Sequence, residues 1–178
     1  MIFNSLVFLA TLIGMEGFAI LAHKYVMHGW GWGWHRSHHE PRTGWFEKND
    51  LYAVVFAGVA IVLIALGTGG YHPLEWIGAG MTAYGLLYFV AHDGLVHRRW
   101  PFSLVPRAGY AKRLYQAHLM HHAVSGKERC VSFGFLYAPS VAKLKAQLRE
   151  LHGGPLNRHD EDVSTGRADA GDSASRAK

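Results

Sequence analysis

Ten of the thirteen histidines in this 178-residue chain fall into four short clusters. These are His23 with His28, His35 with His38 and His39, His92 with His97, and His118 with His121 and His122. Their spacings read H-x4-H, H-x2-H-H, H-x4-H, H-x2-H-H, so one pair of patterns occurs twice. An imidazole is costly to bury without a partner, and its neutral form offers a lone pair to a metal. Positions i, i+3 and i+4 of a helix share a face, so each H-x2-H-H box presents three rings together. Positions i and i+5 do not, being turned by about 140° on a regular helix. An H-x4-H pair therefore converges only where the helix ends or distorts, and Gly29 and Gly94 stand at suitable places. Ten imidazoles are too many for one ion. They suit two, each with about four or five histidines and room for a water or bridging oxygen.

Imidazole accepts zinc, copper, iron and nickel alike. A structural zinc site is closed by four ligands, often with cysteine, whereas the single Cys130 excludes a Cys-rich metal site and an intramolecular disulfide. A nitrogen-rich pair of ions beside apolar helices fits activation of O2 toward a lipid-soluble substrate. Two iron ions are the expected cofactor, because zinc has no redox chemistry, although zinc can substitute in purified protein. Glu40 and Asp93, each next to a box histidine, are expected to accept imidazole N–H bonds. His72, His152 and His159 read as ordinary polar histidines, and Cys130 as a small buried hydrophobe. Trp30, Trp32 and Trp34 alternate with glycine and read as an interfacial aromatic belt in preference to a substrate path.

The elements that must carry these boxes are apolar. Hydrophobic residues make up 49% of the chain and charged ones 17%, against about 25% in a soluble domain. The mean hydropathy of +0.02 averages an apolar body with a polar stretch from Gly153 onward. Ile2–Leu21, at about 30 Å as a helix, is long enough to cross a bilayer, and neither a basic segment before it nor a small-residue cleavage site after it marks a signal peptide. Leu51–Thr68 and the glycine-bearing Trp76–Ala91 are two further spans, with Gly78, Gly80 and Gly85 suited to close helix packing. None of the 18 Lys and Arg lies within Met1–His23 or Asn49–His97. That distribution marks membrane topology, not nucleic-acid binding, and places the Lys24–Asp50 loop and everything after Arg98 on the cytoplasmic side. The expected fold is an all-α integral membrane bundle of three spans, or four if Val131–Ala138 contributes, with the histidines on its cytoplasmic side. Residues 1–152 form the membrane-embedded domain and residues 153–178 a disordered tail. Leu104–His122 and Val141–Leu151 read as amphipathic helices. Glu16 lies inside the first span, where a carboxylate is expensive; it either pairs with another helix or sits near the metals as a neutral acid.

The four boxes on few spans resemble the fatty acid hydroxylase superfamily of integral-membrane diiron enzymes, and within it the bacterial β-carotene 3-hydroxylases. The stretches His35–Tyr52, His92–Pro101 and His118–Tyr137 carry the resemblance, which spans Met1 to Leu151. It implies O2-dependent hydroxylation at carbon 3 of carotenoid β-ionone rings, turning β-carotene through β-cryptoxanthin into zeaxanthin, and canthaxanthin into astaxanthin. It carries the metal ligands onto the ten box histidines. Electrons are expected from ferredoxin and its reductase, and the expected location is the bacterial inner membrane. A carotenoid is long, rigid and confined to the bilayer, so a slot among the helices should end at the metals, with Tyr88, Phe89, Trp100, Phe133 and Phe135 as candidate lining. A fatty acyl or sterol hydroxylase or desaturase would use the same metal centre. A membrane metal carrier would instead need ligands through the membrane interior.

Overall fold

The apolar runs fold into helices whose ends are set by glycine and proline. In a computed structural model, which describes residues 1–42, 44–99 and 104–153, the described residues contain helices and irregular segments and no strand. Helix α1 spans Ile2–Leu21 and runs on without a break into a π-helical segment, Ala22–Trp30, kinked at Gly29 (φ −105°, ψ −122°). The short α2 (Trp32–His39) follows, then α3 (Asp50–Thr68), a tight turn, and α4 (Leu74–Tyr88). Helix α4 also continues into a π-helical segment, Phe89–Val96. The chain ends its described part with α5 (Gly109–His122) and α6 (Val141–His152). The expected helix over 104–122 begins later, at Gly109. Pro106 restrains the residue before it to extended backbone, and Gly109 takes a left-handed φ of 71°. Ser140 caps α6 by accepting the Lys143 N–H, and Gly153, at φ 71°, ends it.

Helix α4 lies between α1 and α3. Two glycines permit the contact. A Cβ on Gly78 would stand 2.7 Å from the Ala60 carbonyl oxygen of α3, and one on Gly80 would stand 2.9 Å from the Phe8 carbonyl oxygen of α1. Gly85, expected to do the same, has open space beside it and lines a cavity instead. Helices Ile2–Trp30 and Asp50–Thr68 are long and apolar enough to cross a membrane. Their outer faces hold large apolar side chains such as Ile13 (74% exposed) and Ile61 (65%), and α3 buries only Ala60 and Gly67. So much outward apolar surface is unstable in water and matches lipid. Below this layer, α5 and α6 bury Leu114, Met120, Leu144 and Leu148 with Val131 and Ala138. Val131–Ala138 is thus an irregular buried segment and adds no span.

Glu16 pairs with another helix. Its carboxylate accepts the Tyr84 hydroxyl of α4 at 2.7 Å and also meets backbone N–H groups of residues 135–137.

Gly78→Ala is expected to cost about 1–3 kcal/mol, because backbone atoms of α3 must retreat from the new methyl. Gly85→Ala is expected to be near neutral. Thermal unfolding of the detergent-solubilised variants separates the two outcomes.

Candidate metal centre

The π-helical segments solve the problem of the H-x4-H pairs. Hydrogen bonding from i to i+5 stacks position i+5 near position i. The His97 N–H donates to the His92 carbonyl at 2.9 Å, and the Gly31 N–H donates to the Val26 carbonyl at 2.8 Å. His23 and His28 thereby face one centre, with rings 5.1 Å apart, and so do His92 and His97, at 4.5 Å.

All ten box histidines meet at one end of the bundle, in two adjoining groups. The nitrogen atoms of His23, His28, His35 and His121 lie within 4.8 Å of one another, and so do those of His38, His97, His118 and His122. His39 stands beside the first group, its ring 5.0 Å from those of His28, His35 and His121. Its Nε2 is buried without a partner. His92 completes the second group, its Nε2 3.1 Å from that of His38. The groups abut where the His39 and His122 rings stack at 4.5 Å.

The H-x2-H-H boxes do not each serve one centre. His35 and His39 turn to the first group and His38 to the second, whereas His118 and His122 turn to the second and His121 to the first. Each half of the repeated pattern thus supplies four histidines to its own cluster and one to the other.

Proton positions follow from the acceptors. Nδ1–H of His23 donates to the Phe133 carbonyl (2.9 Å), that of His28 to Lys127 (2.8 Å) and that of His121 to Val131 (2.9 Å). His35 donates to Asn49 Oδ1 at 2.7 Å. Carbonyl oxygens only accept, so each neutral ring spends its single N–H there and leaves Nε2 as a bare lone pair. Yet Nε2 of His23 lies 3.0 Å from that of His35, and those of His28 and His121 are 3.1 Å apart. Lone pairs facing each other repel unless a cation lies between them. Metal–nitrogen bonds of about 2.0–2.1 Å put neighbouring donors roughly 2.9–3.4 Å apart in octahedral or tetrahedral order. The residues fit a metal ion. In the second group His38 donates to Glu47 Oε2 (3.0 Å) and His92 to Asp93 Oδ1 (2.7 Å).

Burial first, and neighbouring imidazoles second, hold His118, His121 and His122 well below the ordinary histidine value. Burial likewise brings His39 down to about 3, with His28 and His38 adding to it. The rings are neutral and ready to ligate.

Of the two expected carboxylate partners, Asp93 holds His92 and is itself held by Arg99 at 3.3 Å. Glu40 does not reach a histidine. Helix α2 stops at His39, and the extended, exposed Glu40 folds back onto Arg36 at 2.7 Å. Glu47 and Asn49 do that work in its place, from the E-K-N-D run between α2 and α3; the loop's return to α2 gave no side-chain signal. His72 pairs with Glu75 in the turn before α4, and His152 reaches the Arg129 carbonyl at 3.3 Å, both apart from the clusters. His159 lies outside the described residues. The buried Cys130 thiol donates to the Gly126 carbonyl, and burial pushes its pKa up to about 12. Trp30 is 85% exposed, as suits a belt, but Trp32 turns inward against His28 and His39 at 5.3 Å.

A cavity of about 410 Å³ opens among α1, α3 and α4 and ends beside the clusters, with none of the box histidines in its lining. Its lining is apolar, with Ala19, Ala53, Ala57 and Ala60 keeping it wide, and it reaches Asn49 and Asp93, the partners of His35 and His92. Tyr88, Phe89 and Phe135 line it. Phe135 stacks on His23 at 4.9 Å and Tyr88 on His92 at 4.5 Å, so these two rings wall the cavity from the histidines. Phe133 instead packs edge-on against His23, His28 and His121 away from the cavity, and Trp100 lies outside the described residues.

A helical bundle with membrane-spanning apolar helices and two imidazole clusters beside an apolar cavity is compatible with a membrane enzyme that holds a metal centre. The chain matches the fatty acid hydroxylase family over residues 8–139 and belongs to that family. It is 72% identical over 152 residues to a beta-carotene hydroxylase of Pantoea ananas, covering 85% of this chain and 87% of that one. It is 63% identical to the beta-carotene hydroxylase of Pseudescherichia vulneris, covering 96% and 95%. With beta-carotene 3-hydroxylase 1 of Arabidopsis thaliana, a chloroplastic protein, it shares 40% identity over 71% of its own length and 42% of the relative's. No solved structure matches it.

Because His39, His118, His121 and His122 resist protonation when folded but take protons freely when unfolded, the unfolded state binds more protons below about pH 6.5. Stability is therefore expected to be level above pH 7 and to fall as pH drops through about 6.5, with release of bound metal. Melting temperature and metal content measured from pH 8 to pH 5 check this; both staying constant to pH 5 would contradict it.

Proposed function

We propose that the chain hydroxylates carbon 3 of β-ionone rings, converting β-carotene through β-cryptoxanthin to zeaxanthin, and canthaxanthin to astaxanthin. The observation that carries this is the junction of the lipid-side apolar cavity with two lone-pair clusters, across the Tyr88–Phe135 wall. A ring C–H bond with no neighbouring carbonyl offers nothing for acid–base or nucleophilic side chains to act on. Two iron ions, held by the ten box histidines, would supply the O2 chemistry for C–H oxidation, one oxygen atom going to the ring carbon and the other leaving as water with two electrons from the ferredoxin donor.

The protein's own work is positioning. The Nδ1–H bonds fix each imidazole's tautomer and direction, and Glu47, Asn49 and Asp93 make three of those bonds. The alanines of α3 admit a flat ring and the chain behind it, and Tyr88 and Phe135 stop the ring beside the clusters. The apolar lining keeps water from the reacting carbon.

The strong likeness to beta-carotene hydroxylases over most of both chains favours a carotenoid over a fatty acyl or sterol substrate. Gathering of the histidines at one end, away from the middle of the spans, disfavours a metal carrier. The Trp76–Ala91 run, continuous here from Leu74 to Val96, makes a third span in this reading. The basic segments then put the clusters at the cytoplasmic face of a bacterial inner membrane, within reach of ferredoxin and its reductase.

His121→Ala, in cells that make β-carotene, is expected to abolish zeaxanthin formation while the protein still inserts. Withholding oxygen should do the same to the wild type. Pigment analysis decides, and zeaxanthin at wild-type levels from the mutant would overturn the role given to the histidines.

A further inference from the structure

We propose that Glu16 is a positioning residue for the first histidine cluster: from mid-span in α1 it fixes the irregular segment 131–138 that orients His23 and His121. The proposal rests on the two-ion reading above.

Glu16 lies seven residues before His23, about 10 Å along the helix. Its oxygens accept N–H bonds from three consecutive residues, Phe135 (3.0 Å), Leu136 (3.0 Å) and Tyr137 (2.8 Å), and the hydroxyl of Tyr84. Three successive backbone donors on one carboxylate form a nest that sets the register of the segment bearing them. This register is otherwise weakly determined, because residues 123–140 form no helix or strand. Gly134 lies inside the grip: a Cβ there would stand 2.8 Å from Glu16 Oε1 and 2.6 Å from the Tyr137 carbonyl oxygen.

The gripped segment's hydrogen bonds reach one cluster only, although the Phe135 ring also meets His92 edge-on at 5.3 Å. The Val131 carbonyl accepts from His121 and the Phe133 carbonyl from His23, both of the first group. Ser132 between them holds a left-handed φ of 60°, which brings both carbonyls to the histidines. Phe135, whose N–H Glu16 holds, stacks on His23. The Nδ1 partners found for the second group, Glu47 and Asp93, come from elsewhere in the chain. Loss of Glu16 should therefore loosen one ion and spare the other. A general role in holding the bundle together would weaken both alike.

The test uses the purified full-length chain titrated with cobalt(II), whose visible spectrum reports each site. His121→Ala and His118→Ala serve as references lacking one first-group or one second-group histidine. Wild type and Tyr84→Phe should bind two ions. Glu16→Gln should also bind two, with hydroxylation within about threefold of wild type, since its amide oxygen still accepts the three N–H bonds. Glu16→Ala and Gly134→Ala should bind one ion as wild type does and the other at least roughly tenfold more weakly, with the spectrum of His121→Ala. Two ions at wild-type affinity in both of these variants would overturn the proposal. So would equal weakening of both sites, loss of both ions from Glu16→Gln, or failure of both Glu16→Ala and Gly134→Ala to accumulate. Fewer than two ions in the wild type would instead sink the two-ion reading itself.

Discussion

The structure turns on where the imidazole protons go. Seven of the ten box histidines commit Nδ1–H to an oxygen that can only accept: four backbone carbonyls, the Asn49 amide oxygen and the carboxylates of Glu47 and Asp93. Each commitment strips Nε2 of hydrogen and aims it inward. The inward nitrogens then stand about as far apart as ligands of one ion, a spacing that neutral rings would not hold by themselves. Burial opposes the other escape, protonation, at His39 and His121, whose Nδ1 partners are uncharged carbonyls. The polar shell and the inward lone pairs are thus a single device, and its donor set is compatible with a metal centre.

This device explains the shape of the chain around it. Because each half of the repeated pattern lends one histidine to the other's cluster, neither half can complete a centre alone, and α2 must lie against α5 for either to form. Regular helices would have turned His28 away from His23 and His97 away from His92. The two π-helical stretches, each at the clustered end of a long apolar helix, correct this by accepting i+5 hydrogen bonds that are poorer than α-helical ones. The distortions sit where the box histidines are and nowhere else among the described residues.

Legibility in the sequence followed side-chain chemistry. The ten histidines, their pairing into repeated boxes and the need for distortion near Gly29 were all readable, because imidazole spacing and helical geometry are both local. The long apolar helices were readable for the same reason, though Gly85 lines a cavity and Leu104–Ala108 stays outside the helix. The partners of the imidazoles were mostly not readable. Four are backbone carbonyls, which every residue possesses, and their selection depends on how the loop at 123–140 folds over the clusters. Glu40 was the natural guess from adjacency, but adjacency along a chain that has just left a helix points its side chain to solvent. Asn49 and Glu47, ten and eight residues past His39, return only because the loop folds back to start α3.

The position of the clusters at the end of the bundle follows from two opposed demands. A cluster in the middle of the membrane would have to find all of its oxygen acceptors inside the hydrocarbon, where unpaired carbonyls and carboxylates are most expensive. A cluster out in the aqueous region would lose the burial that keeps its imidazoles neutral and its reacting carbon dry. The boundary satisfies both: loops 40–49 and 123–140 bring acceptors from one side, while α1, α3 and α4 bring an apolar cavity from the other. Tyr88 and Phe135 stand on the dividing line, each stacking one face on a cluster histidine and lining the lipid-side space with the rest. Among the described residues, this small aromatic wall is where the apolar cavity meets the imidazole clusters, and the proposed reaction takes place across it.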